Sequence, residues 1–426
     1  MKFAKQIQTA ASDLPEDWRP HLIQYKTLKK SIRSVVDELE SRGLTSHLLT
    51  IQNDKNPIDE RIQLAYTFDG DDKDPHPVIK VTIKDPQSIC TARQSIAYLE
   101  HILEDMSVHQ DETSQPLLFT IELVKDSEFF QLLLDELQHV AHLHDVEQRR
   151  FTENVNDLEQ RLTLAASPYK KDLYVWREIF QLYMEASIFE TNHGCHVISY
   201  EKSKERFQWL GQELIRQKLT KKLSSKQSRL ALAQFMALNA KLVDFKYFQS
   251  LNQMAMTKIL KKHDKRSGLC AKSEFPYLAK VNALFVRGIV LSLYNGIQSK
   301  IITIVPQPDD YGCPVCLAIA WRPIRLVCGH VFCVRCLIKA HRKRLLNCPI
   351  CRQEHAVGNA DANNLDQSLQ NFMLLYFPRE IKEKRRENER EHMTLHISPG
   401  IHVTSTRPVR QSTQVNDCHH RNCTLM

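Results

Sequence analysis

The sequence predicts a mainly α-helical protein followed by a small metal-braced module, and three observations carry that expectation. Glycine is scarce, eleven in 426 residues, where average usage of about 7% would give roughly 30; sandwiches and Gly-rich nucleotide-binding folds need more turn glycines than that. Apolar residues recur at steps of three and four along several long stretches, the period of amphipathic helices. Seven of the twelve cysteines fall between Cys313 and Cys351, a density that marks metal ligation rather than disulfides in a reducing compartment.

From Arg19 to Leu39 the apolar positions Leu22, Tyr25, Leu28, Ile32, Val35, Val36 and Leu39 trace one helical face, and Gly43 stops the helix. Segments 61–68, 77–84 and 116–124 are rich in Val, Ile, Thr, Tyr and Phe, with the turn residues Asp69-Gly-Asp-Asp-Lys-Asp-Pro between the first two. They predict a small strand-containing insertion that also holds a helix near 87–108. A long helix is expected from Ser127, taken as its N-cap, through Phe130, Leu133, Leu137, Val140, Leu143 and Val146 to about Leu164. Further helices are expected near 170–190, 202–222, 227–265 and 273–298. Pro306 and Pro308 predict a short, stiff linker over 301–312. After Arg352 one more helix is expected over Leu365–Tyr376, halted by Pro378, and residues 379–426 lack apolar period and read as a disordered tail. No internal repeat is visible.

Composition sets the class. Apolar residues make up 42% and charged residues 25%, close to soluble globular averages, so wholesale disorder is not expected. The opening Met1-Lys-Phe-Ala-Lys-Gln lacks the apolar core of a secretory signal, and the apolar segment Val281–Ile297 is interrupted by Arg287. The chain is expected to be intracellular and soluble. A net charge of +8 matters only where it is concentrated in space.

The cysteine cluster reads Cys313-x2-Cys316-x11-Cys328-x-His330-x2-Cys333-x2-Cys336-x11-Cys348-x2-Cys351. Eight soft ligands suffice for two tetrahedral zinc ions, and with every position used neither site keeps room for a catalytic water. Spacing alone leaves open which pairs share an ion. The string resembles a RING finger over residues 313–352. That resemblance implies a cross-brace in which Cys313, Cys316, Cys333 and Cys336 hold one zinc and Cys328, His330, Cys348 and Cys351 the other. It also implies docking of a ubiquitin-conjugating enzyme and promotion of ubiquitin transfer to a protein substrate. By the same analogy Val315 and Pro349 are docking contacts, and Arg352 positions ubiquitin. Many RING fingers carry a Trp four positions after the sixth ligand; here that position is Ala340, and Ile338 and Leu345 are the substitutes to consider. A RING ligase needs no nucleophile of its own, so Cys90, Cys195 and Cys270 are expected to be dispensable. The alternative reading is a non-enzymatic, zinc-braced adaptor.

Two lysine stripes supply the charge. Lys258, Lys261, Lys262 and Lys265 share one helical face, and Lys26, Lys29, Lys30 and Arg33 repeat the spacing with Tyr25 one turn before Lys29. Like charges on one face repel, each pair costing a few tenths of a kcal/mol, unless an anion compensates. Either stripe alone reads as a solvated face. Together with Met1-Lys-Phe, Leu251-Asn and Phe275-Pro-Tyr-Leu they resemble an SPX domain over residues 1–300, with 46–126 and 166–225 as insertions. The resemblance implies a helical bundle that binds inositol polyphosphates and is linked to phosphate homeostasis. Carried over by motif, Tyr25, Lys29 and Lys262 contact phosphate, and Lys2, Lys258, Lys261 and Lys265 supply the surrounding positive surface. Nucleic acid is the competing polyanion, disfavoured because no stacking platform accompanies the lysines.

The expected order is therefore an SPX-like helical domain over 1–300, a linker over 301–312, a RING finger over 313–352, a helical extension over 353–378 and a tail. The tail ends in Cys423-Thr-Leu-Met, which matches a prenylation pattern without the usual upstream polybasic stretch. A coincidental match is the plainer reading; membrane attachment through the tail would require lipid on Cys423.

Overall fold

A computed structural model describes residues 3–44, 46, 49, 62–70, 75–83, 117–189, 198–275 and 289–396. The chain divides into two compact units, Met1–Pro306 and Gln307–Met426. The first is a helical bundle with one three-stranded sheet; the second holds the cysteine cluster.

The bundle is organised by α1 (Phe3–Ala11), α2 (Tyr25–Ser41) and two long helices, α3 (Val124–Ala165) and α7 (Lys226–Ser267). On α2 the buried side chains Tyr25, Leu28, Ile32, Val35 and Leu39 follow the three-and-four spacing of one face. Gly43 ends the helix in a left-handed conformation, φ 70°. Helices α3 and α7 run antiparallel: Asp126 meets His263, Glu147 meets Lys241, and Asp157 meets Gln234. Ser225 caps α7 by accepting from the amide of Gln227, and Gly268 closes it with φ 77°. A Cβ on Gly268 would stand 2.5 Å from the carbonyl oxygen of Ser46, so both the conformation and the space require glycine there.

The start of α3 differs from the expected one. The helix begins at Val124, and the hydroxyl of Ser127 donates to the carbonyl of Leu123 from inside the first turn. The cap comes from elsewhere: the carboxylate of Glu38 on α2 accepts from the amides of Val124 and Lys125 at 3.0 and 2.8 Å. A side chain distant in sequence thus satisfies the helix's first orphan donors.

The sheet is antiparallel in the order β1 (Ile62–Asp69), β2 (His76–Ile83), β3 (Leu117–Glu122), with Tyr66 opposite Ile79 and Ile79 opposite Ile121. The helix expected near 87–108 and most of the segment 273–298 lie outside the described residues. Helices α4 (Asp172–Ala186), α5 (Tyr200–Arg216) and the short α6 (Leu219–Lys222) follow α3. The single helix expected over 202–222 is broken because Lys218 takes φ 56°. After α7 and the one-turn α8 (Ala271–Glu274), α9 (Ile289–Lys300) returns along α3.

The expected linker is not a free connector. Ile301 and Val305 are buried in the first unit, and Arg177 Nε donates to the carbonyl of Pro306 at 2.9 Å. Tyr311 belongs to the second unit, packed on Phe372 and Phe377 with ring centroids 5.1 and 5.2 Å away. Apolar burial, which two prolines do not prevent, absorbs both ends of the segment.

In the second unit a hairpin of β4 (Pro323–Arg325) and β5 (Val331–Cys333) leads into α10 (Val334–Arg342). Its small core is built on Phe332, Ile324, Leu326, Leu337 and Val357. A second cluster joins Ile319 to Met373, Phe377 and Ile381, carried by α11 (Gln367–Tyr376) and α12 (Pro378–His396). Residues 379–396 fall in the segment expected to be a disordered tail, but they continue a helix that starts at Pro378. They form a helix because Ile381 is buried, good helix formers surround it, and Lys384 pairs with Glu387 and Arg335 with Glu391 at 2.8 and 2.6 Å. Residues 397–426, including Cys423, lie outside the described residues.

Candidate functional site

Local turns present the metal ligands in pairs. Cys313-Pro-Val-Cys316 and Cys348-Pro-Ile-Cys351 fold alike: the amides of Leu317 and Arg352 donate to the carbonyls of Cys313 and Cys348 at 2.8 and 2.9 Å. In both, the residue after the second cysteine is left-handed, Leu317 at φ 58° and Arg352 at φ 62°. A side chain with a Cβ strains there, so something beyond local preference holds the turn. Cys328 and His330 sit in the β4–β5 turn, where Gly329 takes φ 82°. Cys333 ends β5, and Cys336 follows in the first turn of α10.

These pairs interleave. Cys313, Cys316, Cys333 and Cys336 form one group and Cys328, His330, Cys348 and Cys351 the other, with the ligand atoms of each group all within 4.8 Å of one another. The separations suit zinc. Cys316 Sγ and Cys333 Sγ are 3.9 Å apart, and His330 Nδ1 lies 3.4 Å from Cys328 Sγ and 3.7 Å from Cys348 Sγ. Edges of a tetrahedron with zinc–ligand bonds of about 2.0–2.3 Å are of that length. Each group fills all four positions, so the chemistry it supplies is structural bracing.

Around the clusters Val315 is 52% exposed and Pro349 and Arg352 are also at the surface. Ala340 is half-buried on α10. Ile338 is exposed on the same helix. Two residues along a helix turn the side chain by about 200° from Ala340, and Ile338 lines a groove with Val334, His341, Arg342 and Ala360. Leu345, past the end of α10, is exposed.

The lysines occupy the C-terminal end of α7 and the start of α2. The Lys258–Lys265 stretch divides by face: Ile259, Leu260 and His263 are fully buried, while Lys258, Lys261 and Lys265 are exposed and Lys262 is half-buried. Burial, followed by the positive charges of Lys29 and Arg266, pulls the Lys262 ammonium below the usual lysine range. Helices α2 and α7 pack together, so Lys29, far away in sequence, lies near enough for its charge to act on Lys262. Arg266, one turn beyond Lys262, belongs to this cluster as well, outside the lysine pattern that marks the stripe in the sequence. Lys258 Nζ lies 3.7 Å from the centre of the Phe3 ring, which packs edge-on against Tyr25 at 4.9 Å. Tyr25 is buried, and burial raises its phenol above the ordinary range. Lys2 lies outside the described residues.

Beneath the lysines is a buried polar network. His263 Nε2 meets Asp126 Oδ1 at 2.6 Å, and the hydroxyl of Tyr66 on β1 donates to Asp126 Oδ2 at 2.7 Å. Burial opposes charge on His263, but the Asp126 carboxylate outweighs it and lifts the imidazole to about 9. This buried hydrogen-bonded network anchors the helix that displays the lysines to α3 and to the sheet.

The comparisons agree with this geometry. The SPX domain family model matches residues 1–212 and 196–278, and the RING-type zinc-finger model matches 313–349. A protein of Candida albicans named transcriptional regulator of yeast form adherence 3 is 31% identical over 92% of this chain and 96% of its own. An uncharacterized RING finger protein of Schizosaccharomyces pombe is 32% identical over 92% of this chain and 97% of its own. Tripartite motif-containing protein 5 of Papio anubis is 36% identical across only 13% of this chain and 12% of its own. No solved structure matches the chain.

Proposed function

This chain belongs to the SPX domain family and carries a RING-type zinc finger, and from that premise we propose that it is a RING-type ubiquitin-protein ligase whose helical domain binds inositol polyphosphate and ties its output to phosphate homeostasis. The observation that carries the ligase half is the pair of closed four-ligand clusters with Val315, Pro349 and Arg352 exposed beside them. In this reading the module contributes no covalent step. Val315 and Pro349 seat the apolar loops of a conjugating enzyme, and Arg352 donates hydrogen bonds that hold ubiquitin near its thioester, so the rate gain comes from positioning. The anion half rests on the packing of α2 against α7, which brings Lys29 to the end of α7 that carries Lys262 and Arg266, where a multiply charged ligand relieves several repulsions at once. Orthophosphate reaches too few of them to bind tightly.

One observation favours a second reading, a non-enzymatic adaptor in phosphate signalling. Ala340, half-buried on α10, stands where many RING fingers place a large docking side chain. A reconstituted ubiquitination assay with a panel of conjugating enzymes, run with and without inositol hexakisphosphate, separates the two. Chain formation that slows with Arg352→Ala while zinc content is unchanged supports the ligase. Silence across the panel leaves the adaptor.

A further inference from the structure

The end of the helical unit opposite Lys262 carries a second basic surface that the anion site does not use. Because α3 and α7 are antiparallel, the end of α3, the start of α4, the end of α5, all of α6 and the start of α7 meet there. Gln234 Nε2 reaches Asp157 Oδ2 at 2.9 Å, and Asp172 accepts from the amides of Ser224 and Ser225 and the hydroxyl of Ser228. At about 1.5 Å per residue, Lys226 stands roughly 54 Å along α7 from Lys262.

Segments 164–178 and 213–230 hold nine basic residues against three acidic ones. The acids are all engaged: Asp172 by the serines, Glu178 by Lys222 at 2.9 Å, Glu213 by Arg216 at 2.7 Å. Lys171, Lys218, Lys221 and Lys226 are exposed with no carboxylate partner among the described residues. On the same turns and helix ends Tyr169 is 85% exposed, Ile215 76%, Leu164 62% and Leu230 50%. Single exposed apolar side chains need no explanation, but four at one charged end are unlike a surface that meets only water.

We propose that this end docks on an anionic lipid bilayer. It is built of turns and helix ends rather than a groove, so short apolar side chains enter the interfacial layer while the ammonium groups stay level with the headgroups. Tyr169 suits the same boundary, an apolar ring with a polar tip. Nucleic acid would satisfy the charge and leave Leu164 and Ile215 in water. No helix of the described residues is long and apolar enough to cross a membrane, and peripheral docking needs none. The inference goes beyond the ligase reading and does not depend on it.

The test is co-sedimentation of the full zinc-loaded chain with vesicles of phosphatidylcholine alone or with phosphatidylserine added. Binding should occur only with phosphatidylserine. It should weaken about tenfold or more in Lys171→Glu/Lys221→Glu/Lys226→Glu, given about 1 kcal/mol per basic residue near such a surface. Tyr169→Ser/Ile215→Ser should also weaken it, and Lys29→Ala/Lys262→Ala should bind like the wild type. All the substituted side chains at this end are exposed, so unchanged thermal midpoints are expected to show that both variants fold. Absence of phosphatidylserine binding overturns the proposal, as does wild-type binding by the charge-reversed variant. Loss confined to Lys29→Ala/Lys262→Ala assigns the headgroups to the anion site instead. Competition by duplex DNA together with full binding by Tyr169→Ser/Ile215→Ser makes the surface a general polyanion contact and also overturns it.

Discussion

The zinc clusters and the lysine cluster both crowd groups of one chemical kind, and they differ in what holds the crowd together. Around the zinc sites the second unit has a small core, and left-handed Leu317 and Arg352 turns stay in place beside the clusters. Around Lys262 the repelling cations ride on a helix already anchored by Ile259, Leu260 and the His263–Asp126 pair, all fully buried. The second unit is therefore built around its metal ligands, whereas the lysines stand on a fold complete without any anion.

Removing metal is the harshest way to break that comparison. Chelation should abolish the tertiary structure of residues 307–396, since zinc affinity in small modules of this kind is worth about 10–16 kcal/mol of folding free energy. The helical unit should melt as before, and calorimetry of the chelated chain checks this; loss of both transitions would mean that the helical fold also needs the metal.

The corresponding blow to the helical unit is His263→Leu. It leaves the Asp126 carboxylate buried with Tyr66 as its only remaining side-chain partner among the described residues, and breaking one half of a buried pair costs about 3–5 kcal/mol. Urea denaturation at neutral pH reads this directly, while zinc content should not change.

A gentler test uses pH. The folded His263 imidazole, at about 9, lies above its ordinary 6.5, so its stabilising charge is fully present below pH 6.5 and is lost as pH rises through 9. The helical unit should lose on the order of 2–3 kcal/mol across that window, and His263→Leu should flatten the profile. A wild-type stability that is level from pH 6.5 to 9.5 would show that the pair carries no such charge.

The smallest expected effect on folding sharpens the contrast most. Lys262→Ala and Arg266→Ala should each weaken inositol hexakisphosphate binding roughly tenfold, the loss of about one charge-assisted hydrogen bond. Neither should lower the melting temperature, because each removes a repulsion in the empty site. Calorimetric titration and thermal melts of the same variants measure the two halves, and a destabilised Lys262→Ala would show that the lysines also serve the fold.

Features that depend on neighbours in the chain are legible in the residues alone. The face of α2 is written in its own three-and-four spacing, the strands of the small sheet in their β-branched residues, and the paired metal ligands in turns a few residues long. A run of lysines one helical turn apart is legible for the same reason. Partners brought from afar were not legible. Glu38 caps α3 across more than 80 residues, Asp126 finds His263 across 137, and Lys29 meets Lys262 only once α2 lies against α7. Helix α12 is not legible in the residues because one buried isoleucine and charge pairs to α10 sustain it, with no apolar period to announce them. Local backbone geometry repeats with fixed periods that a sequence displays. Burial and charge pairing between distant segments exist only after the chain has closed, and there the tertiary structure decided.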